Sequence, residues 1–432
     1  MSVRRFRDAM TLRINRHFYY GWVILAVATV GLFASGPGQS HTFSVFVGPI
    51  GEDLGVSATA ISAAYVIATL AAAAGLPFMG RMIDRFGVRR VFLVVAALLG
   101  PACIGFGAVS GLLWLTLGFA ALRYLGQGSL ALNCSNLVAQ WFERRRGFAF
   151  SLMALGFSAS MAVHPALAQW LIDTVGWRQA WVWLGVITWV LMLPLIVAFV
   201  QNKPEDLGLD PDGAPPDDAA EDREAAPRQR DEIGLTLQQS LRTTAFYIVA
   251  AGMFVMSMLV TSLHFYQVLI FVAQGLSKQV ATGMFAVSAL TMVVTMPLVG
   301  LMLDRFRTEY IFAGALVVMS AALVAVTFVS DLPSALAYAV VFGLNNAGTM
   351  TLFGYMWPRY FGRRHLGRVQ GAGQMIGVVG AALGPLPLGI ALDLVGGYTE
   401  VLLILSVPPL ACAGIALFLR PPAMLMAQQL RS

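Results

Sequence analysis

Apolar residues in this chain gather into runs of roughly 20 to 30 positions instead of alternating with polar ones. About 20 apolar residues suffice for a helix to cross a bilayer. Cutting the runs at charges and turn residues predicts twelve spans. Spans 1 to 6 cover residues 20–50, 57–79, 90–110, 112–140, 147–171 and 178–200. Spans 7 to 12 cover residues 245–274, 279–303, 310–330, 333–357, 368–392 and 399–420. Between the two sets, residues 201–232 hold five prolines and eleven acids against four Lys/Arg, a composition that cannot bury enough apolar surface to order itself. The predicted architecture is an all-α integral membrane protein of two pseudo-symmetric six-helix bundles. Residues 1–200 form the first with a basic tail, 201–243 an acidic, Pro-rich linker, and 244–432 the second bundle with a short tail.

The two halves repeat. "YVIATLAAAAGLPFMGRMIDRF" (65–86) aligns with "FAVSALTMVVTMPLVGLMLDRF" (285–306) at an offset of 220. The same offset pairs Gly147 with Gly367, Pro165 with Pro385, and Asp173-x-x-Gly176 with Asp393-x-x-Gly396. Matched helix breakers and charges at one offset indicate duplication of a six-helix unit, the plan of transporters that move one repeat against the other around a site at the bilayer midplane.

Composition agrees with the pattern: 58% of the 432 residues are hydrophobic and 12% charged, where a soluble domain carries roughly 25% charged residues. The net charge of +6 would suit a nucleic-acid ligand, but its distribution argues otherwise. With both termini in the cytoplasm, all of the 28 Lys and Arg fall in cytoplasmic tails or loops except Arg123, Arg178 and Lys278. That is the positive-inside asymmetry of a cell-membrane protein, and no nucleic-acid partner is expected. The uncharged stretch Phe18–Gly51 exceeds a signal-peptide core and is read as a first span. The three cysteines lie inside apolar runs without metal-ligand spacing. No H-E-x-x-H, G-x-S-x-G or P-loop is present, so neither an enzyme nor a cofactor is predicted, and transport energy would come from a gradient.

"GRMIDRFGVRR" (80–90) fits at every fixed position the loop 2–3 signature of the major facilitator superfamily, which the chain resembles over essentially its whole length. The resemblance implies that Gly80 permits close helix packing. It also implies that Asp84, Arg85 and Arg89 form a cytoplasmic latch favouring an outward-open state, echoed by Asp304 and Arg305 in the second half. Within the superfamily, the opening of span 1, "YYGWVILAVATVGLFASGPGQSHTFSVFVGPI", and "WFERRRGFAFSLMALG" resemble the monocarboxylate porters and their oxalate/formate-antiporter-like relatives. The chain departs from that group at named places. His41 stands where the better-known porters carry a substrate lysine, and Met292 and Met296 where they carry an Asp and an Arg. The basic residues that oxalate/formate exchangers use in helices 8 and 11 are missing too. Lactate-type coupling and oxalate exchange are therefore not carried over.

Within the spans the polar residues are few. No Asp or Glu lies in the core of any predicted span, and Arg123 in "LRYLGQGS" is the one Lys or Arg there. A mid-bilayer arginine costs about 2.5–3.5 kcal/mol on insertion scales and usually faces a cavity or pathway; its planar guanidinium suits bidentate contact with a carboxylate. The opposing reading is an arginine held by backbone carbonyls and span 1 polar groups, serving structure. Helical rise puts Arg123, His41 and His264 at comparable depths, roughly 14 to 17 Å from the outer surface. Histidine exchanges protons near neutral pH, which makes His41 the leading proton or carboxylate contact; His164 is a weaker candidate. Gly36-Pro37-Gly38, just before Gln39, can break span 1 and expose backbone groups. Gln39, Asn133, Asn136, Asn345, Asn346, Gln370 and Gln374 are candidate liners, and Gly126 and Gly128 packing positions. The leading function is secondary transport of a small, monocarboxylate-like organic anion by alternating access, coupled to protons, by a monomer. Efflux of neutral or amphipathic compounds and a transport-dead sensor on the same fold are the alternatives.

Overall fold

Lipid supplies no hydrogen bonds, so a spanning segment must satisfy its own backbone, which the α-helix does. The computed structural model of the chain describes residues 3–142, 146–213, 234–362 and 366–422. Among these, ten helices are long and apolar enough to cross a membrane. Two local features account for the difference from twelve. Spans 5 and 6 run together as Arg146–Phe199, divided at Gly176 by φ 80° and ψ 158°, a conformation that a Cβ would oppose. Span 4 runs without interruption from Leu112 to Trp141, but its middle is not α-helical. Arg123–Leu130 is a π-helix between Leu112–Leu122 and Ala131–Trp141, which corrects the uniform α-helix expected over 112–140. Counted with these features, the architecture is consistent with twelve crossings.

Span 1 is also divided, at the tripeptide that predicts it. Gly21–Ala34 ends before a 3₁₀ turn at Gly36–Gly38, and helix resumes at Ser40–Phe43 and Val47–Leu54. Residues 214–233 of the linker lie outside the described residues.

Contacts divide the chain into two compact units. Unit 1 is Met1–Phe43 with Ala71–Ala226, and unit 2 is Ser44–Leu70 with Pro227–Ser432. In unit 1 the helices meet through small residues, as membrane helices do in the absence of a hydrophobic drive between them. A Cβ at Gly156 would collide with the Thr29 carbonyl, so span 5 packs backbone to backbone on span 1. Phe43, Phe106, Phe119 and Trp181 fill the interior, with Phe106–Trp181 centroids 4.6 Å apart and Phe43–Phe119 5.0 Å. Large apolar side chains point outward, among them Leu113, Trp114 and Val190, the face that lipid covers.

Unit 2 contains a buried cluster of Phe246, Met253, Phe312, Trp357 and Phe361. Leu235, near the end of the linker, donates its N–H to the Phe361 carbonyl at 2.8 Å. The segment Ser44–Leu70 is held within this unit by polar contacts. Ser62 Oγ and Tyr266 Oη lie 2.7 Å apart, and Thr59 N donates to Asp393 Oδ2 at 2.9 Å. Asp393 thus satisfies an amide in the first turn of Ala58–Phe86 that has no acceptor inside its own helix.

These contacts separate glycines that matter to packing from those that do not. Gly156→Val is expected to cost about 1–3 kcal/mol through forced backbone displacement, read as a clear fall in melting temperature of the purified protein. Gly80→Ala is expected to stay within about 0.5 kcal/mol, because a Cβ there meets nothing within 4 Å. The close packing expected of Gly80 is absent.

Candidate functional site

The break in span 1 and the π segment of span 4 face each other. A Cβ on Gly38 would come within 2.5 Å of the Leu122 carbonyl oxygen and 2.6 Å of the Gln127 amide nitrogen. Gly126 reciprocates, its added Cβ falling 3.0 Å from the Gly38 Cα. No side chain fits between these backbones, so the close approach expected at Gly126 is present. Gly128 likewise faces the Leu76 side chain.

Arg123 opens the π segment and is 2% exposed. Its Nη1 donates to the Gly38 carbonyl at 3.1 Å. A 3₁₀ turn at membrane depth leaves carbonyls without helical acceptor geometry, and a charged donor satisfies one of them here. The guanidinium is therefore a tie between spans 1 and 4, and the backbone-held role weighed above for this arginine is what the contact describes.

Three residues beyond Gly38, a second polar chain begins. His41 Nε2 lies 3.2 Å from Ser160 Oγ, and Ser160 Oγ lies 3.2 Å from His164 Nδ1. One hydroxyl thus joins two imidazoles, all three side chains being buried. His41 and His164 come together because Ser160 and His164 are one turn apart on span 5, on the face turned to span 1. The His164 ring also packs against Gly36, where a Cβ would overlap it, and lies 4.7 Å from the Phe33 ring. His164 thus belongs to the cluster, and the signal that could have placed it there is the Ser160-x-x-x-His164 spacing opposite a glycine-broken helix. Gln39 Nε2 donates to Ser35 Oγ at 3.0 Å and supports the broken segment.

Asn133 serves a different end. Its Nδ2 donates to the Ser129 carbonyl at 2.8 Å, supplying a donor inside the π segment, where the regular i to i+4 pattern is interrupted. Asn136 Nδ2 donates to the Leu132 carbonyl at 3.2 Å, within the α-helix that follows.

The remaining predicted residues belong to unit 2. His264 is buried between aromatic rings, 4.9 Å from Phe342 and 6.2 Å from Phe285. Tyr338 stacks on Phe342 at 5.6 Å and donates to Gln267 Oε1 at 3.2 Å. Asn346 donates to the Phe342 carbonyl at 2.8 Å, Asn345 is fully buried, and Gln374 is exposed.

At the loop after span 2, Arg89 donates its backbone N–H to Asn202 Oδ1 at 3.0 Å and its Nη2 to the Val197 carbonyl at 3.2 Å. Arg85 stacks 5.3 Å from the Phe86 ring, and Arg305 is exposed. The linker's first residues are thus part of this loop's support, through Asn202. The side chains of Asp84, Asp304 and Gln370 lie outside the described residues. In the loop before span 10, Asp331 accepts from Ser334, and these hydrogen bonds hold its carboxyl below the usual carboxylate range.

Known proteins resemble this chain in family and fold. A family model described as Major Facilitator Superfamily matches residues 22–273 and 265–429. The chain is 25% identical over 199 residues to the oxalate:formate antiporter of Oxalobacter formigenes, a match covering 45% of this chain and 44% of that protein. It thus spans less than half of that relative. It is 24% identical over 402 residues to human monocarboxylate transporter 2, covering 88% of this chain and 81% of that one. Among solved structures, a bacterial homolog of the human lysosomal transporter Spinster, in an inward-facing and unoccupied conformation, superposes with a TM-score of 0.67 at 15% identity, covering 95% of this chain and 98% of that one. With the family model accounting for most of its length, the chain is a multi-pass, non-enzymatic membrane transporter and belongs to the Major Facilitator Superfamily.

Proposed function

We propose that this transporter carries a small, monocarboxylate-like organic anion together with protons, by alternating access. Arg123 is the contact for the carboxylate, and the His41–Ser160–His164 chain holds the proton. The observation that carries the reading is the placement of a buried guanidinium on the carbonyl of Gly38, three residues before that chain begins. The Gly38 carbonyl is a dipole, so bonding to it does not neutralise the guanidinium. In a low-dielectric interior such a charge attracts a carboxylate far more strongly than it would in water, and the planar fork can take both oxygens. A buried imidazole three residues beyond Gly38, bonded to Ser160, offers a transported proton a place to reside without an embedded acid. The names of two relatives, an oxalate:formate antiporter and a monocarboxylate transporter, lend support at the level of substrate class.

The surroundings of His264 favour a second reading. An imidazole set among Phe285, Phe342 and Tyr338 suits an aromatic or amphipathic compound, whose transport would move neither net charge nor protons.

Uptake of radiolabelled monocarboxylates into proteoliposomes, with internal pH recorded, separates the two. Losing a hydrogen bond to a charged group costs about 1.5–3 kcal/mol, so Arg123→Gln should weaken apparent carboxylate affinity about ten- to hundredfold. Arg123→Lys, which keeps the charge but not the fork, should retain part of the activity. Undiminished carboxylate uptake by both Arg123→Gln and His41→Ala would sink the proposal, and proton-silent uptake of a neutral compound would establish the second reading. Ser160→Ala tests the relay separately. If one hydroxyl connects the two imidazoles, its removal should reduce the rise in uptake on acidification while leaving carboxylate affinity at a fixed pH within about twofold. A pH profile unchanged from that of the unsubstituted protein would exclude the relay.

A further inference from the structure

Far from the polar cluster along the sequence, unit 2 has a cavity of about 360 Å³ lined by Gln239, Arg242, Thr243, Thr244, Arg420 and Pro421. It lies where two membrane helices end. Thr244–Ala273 starts two residues after Arg242, and Val407–Ala416 stops four residues before Arg420. Both arginines are exposed, and both fall at the end of the spans that the positive-inside count places in the cytoplasm.

The cavity is built on a supported frame. Thr236 and Gln239 form a reciprocal capping box, with Gln239 N donating to Thr236 Oγ1 at 3.2 Å and Thr236 N to Gln239 Oε1 at 2.9 Å. That turn leads directly into Arg242, and Thr243 Oγ1 accepts from Phe246 N at 3.3 Å, capping the 30-residue helix that follows. Arg242, Thr244 and Arg420 thereby line one concavity.

The surface beside it is apolar. Leu417 and Phe418, just before Arg420, are 50% and 78% exposed, and Tyr247, one turn into the helix after Arg242, is 60% exposed. A free anion would need the arginines alone and gain nothing from these side chains. An amphiphile with an anionic head gains from both.

We propose that this cavity binds the phosphate headgroup of an anionic phospholipid, with Arg242 and Arg420 on the phosphate and the acyl chains along Tyr247, Leu417 and Phe418. The chemistry is that of other basic pockets between membrane helices on the cytoplasmic side. Arginine suits it better than lysine, since its fork matches two phosphate oxygens.

The test is native mass spectrometry of the full chain in detergent, titrated with phosphatidylglycerol and separately with phosphatidylcholine. Each basic residue near an anionic membrane surface contributes about fivefold, so R242Q/R420Q should weaken phosphatidylglycerol binding about 25-fold and leave phosphatidylcholine binding unchanged. Should the double variant fail to fold, the single variants R242Q and R420Q carry the same test at about fivefold each. Equal phosphatidylglycerol retention by the folded variants would overturn the proposal. So would displacement of the lipid from the unsubstituted protein by millimolar inorganic phosphate, which would make the cavity a site for a free anion.

Discussion

The hydrogen bond from Arg123 to the Gly38 carbonyl joins two places where this fold abandons the α-helix inside the membrane. Lipid solvates neither a broken helix nor a π segment, so each irregularity must be satisfied by protein. Here they satisfy one another. The 3₁₀ turn presents a carbonyl, the π segment presents the guanidinium, and Gly38 and Gly126 remove the side chains that would hold the backbones apart. Each departure is costly alone and tolerable beside the other. Asn133, bonded to the Ser129 carbonyl, attends to the same interruption from within span 4.

The duplication makes the placement of charge more informative. At the repeat offset of 220, Arg123 corresponds to Gly343. A Cβ on Gly343 would lie 2.6 Å from the Ser288 carbonyl, so helix packing has closed the position that holds a cation in the first half. Its neighbour Phe342 packs on His264 instead. The two copies of one six-helix unit have thus diverged in chemistry, the first toward a buried charge and linked hydroxyl and imidazole groups, the second toward an aromatic enclosure.

Much of this was legible in the sequence, and what was not has identifiable physical causes. Spans could be read because bilayer thickness imposes a length on apolar runs, and the Gly36-Pro37-Gly38 break because two glycines around a proline disfavour continued helix. The π segment left no such trace. It contains no proline, its glycines are common in membrane helices, and it depends on contacts with span 1 that sequence spacing does not encode. Gly80 failed in the opposite direction: a glycine in a recognisable motif implied close packing, whereas open space surrounds it. His164 was undervalued because its connection to His41 runs through Ser160, a residue type too ordinary to single out on a polar-poor helix.

The structural tie that Arg123 makes and the carboxylate contact proposed for it are compatible. A carboxylate that engages the guanidinium bidentately competes with the Gly38 carbonyl for the same planar set of donors. If the anion draws Arg123 away, the carbonyl of the broken turn must find another donor or the turn must change shape, because an unsatisfied backbone group at that depth costs several kcal/mol. Substrate occupancy and the conformation of span 1 are then coupled through one side chain, with a π segment, a strained helical form that recurs at functional sites, beginning at that same residue. On the proposed reading, the arginine that holds span 1 and releases it to a carboxylate stands at the start of an irregular segment.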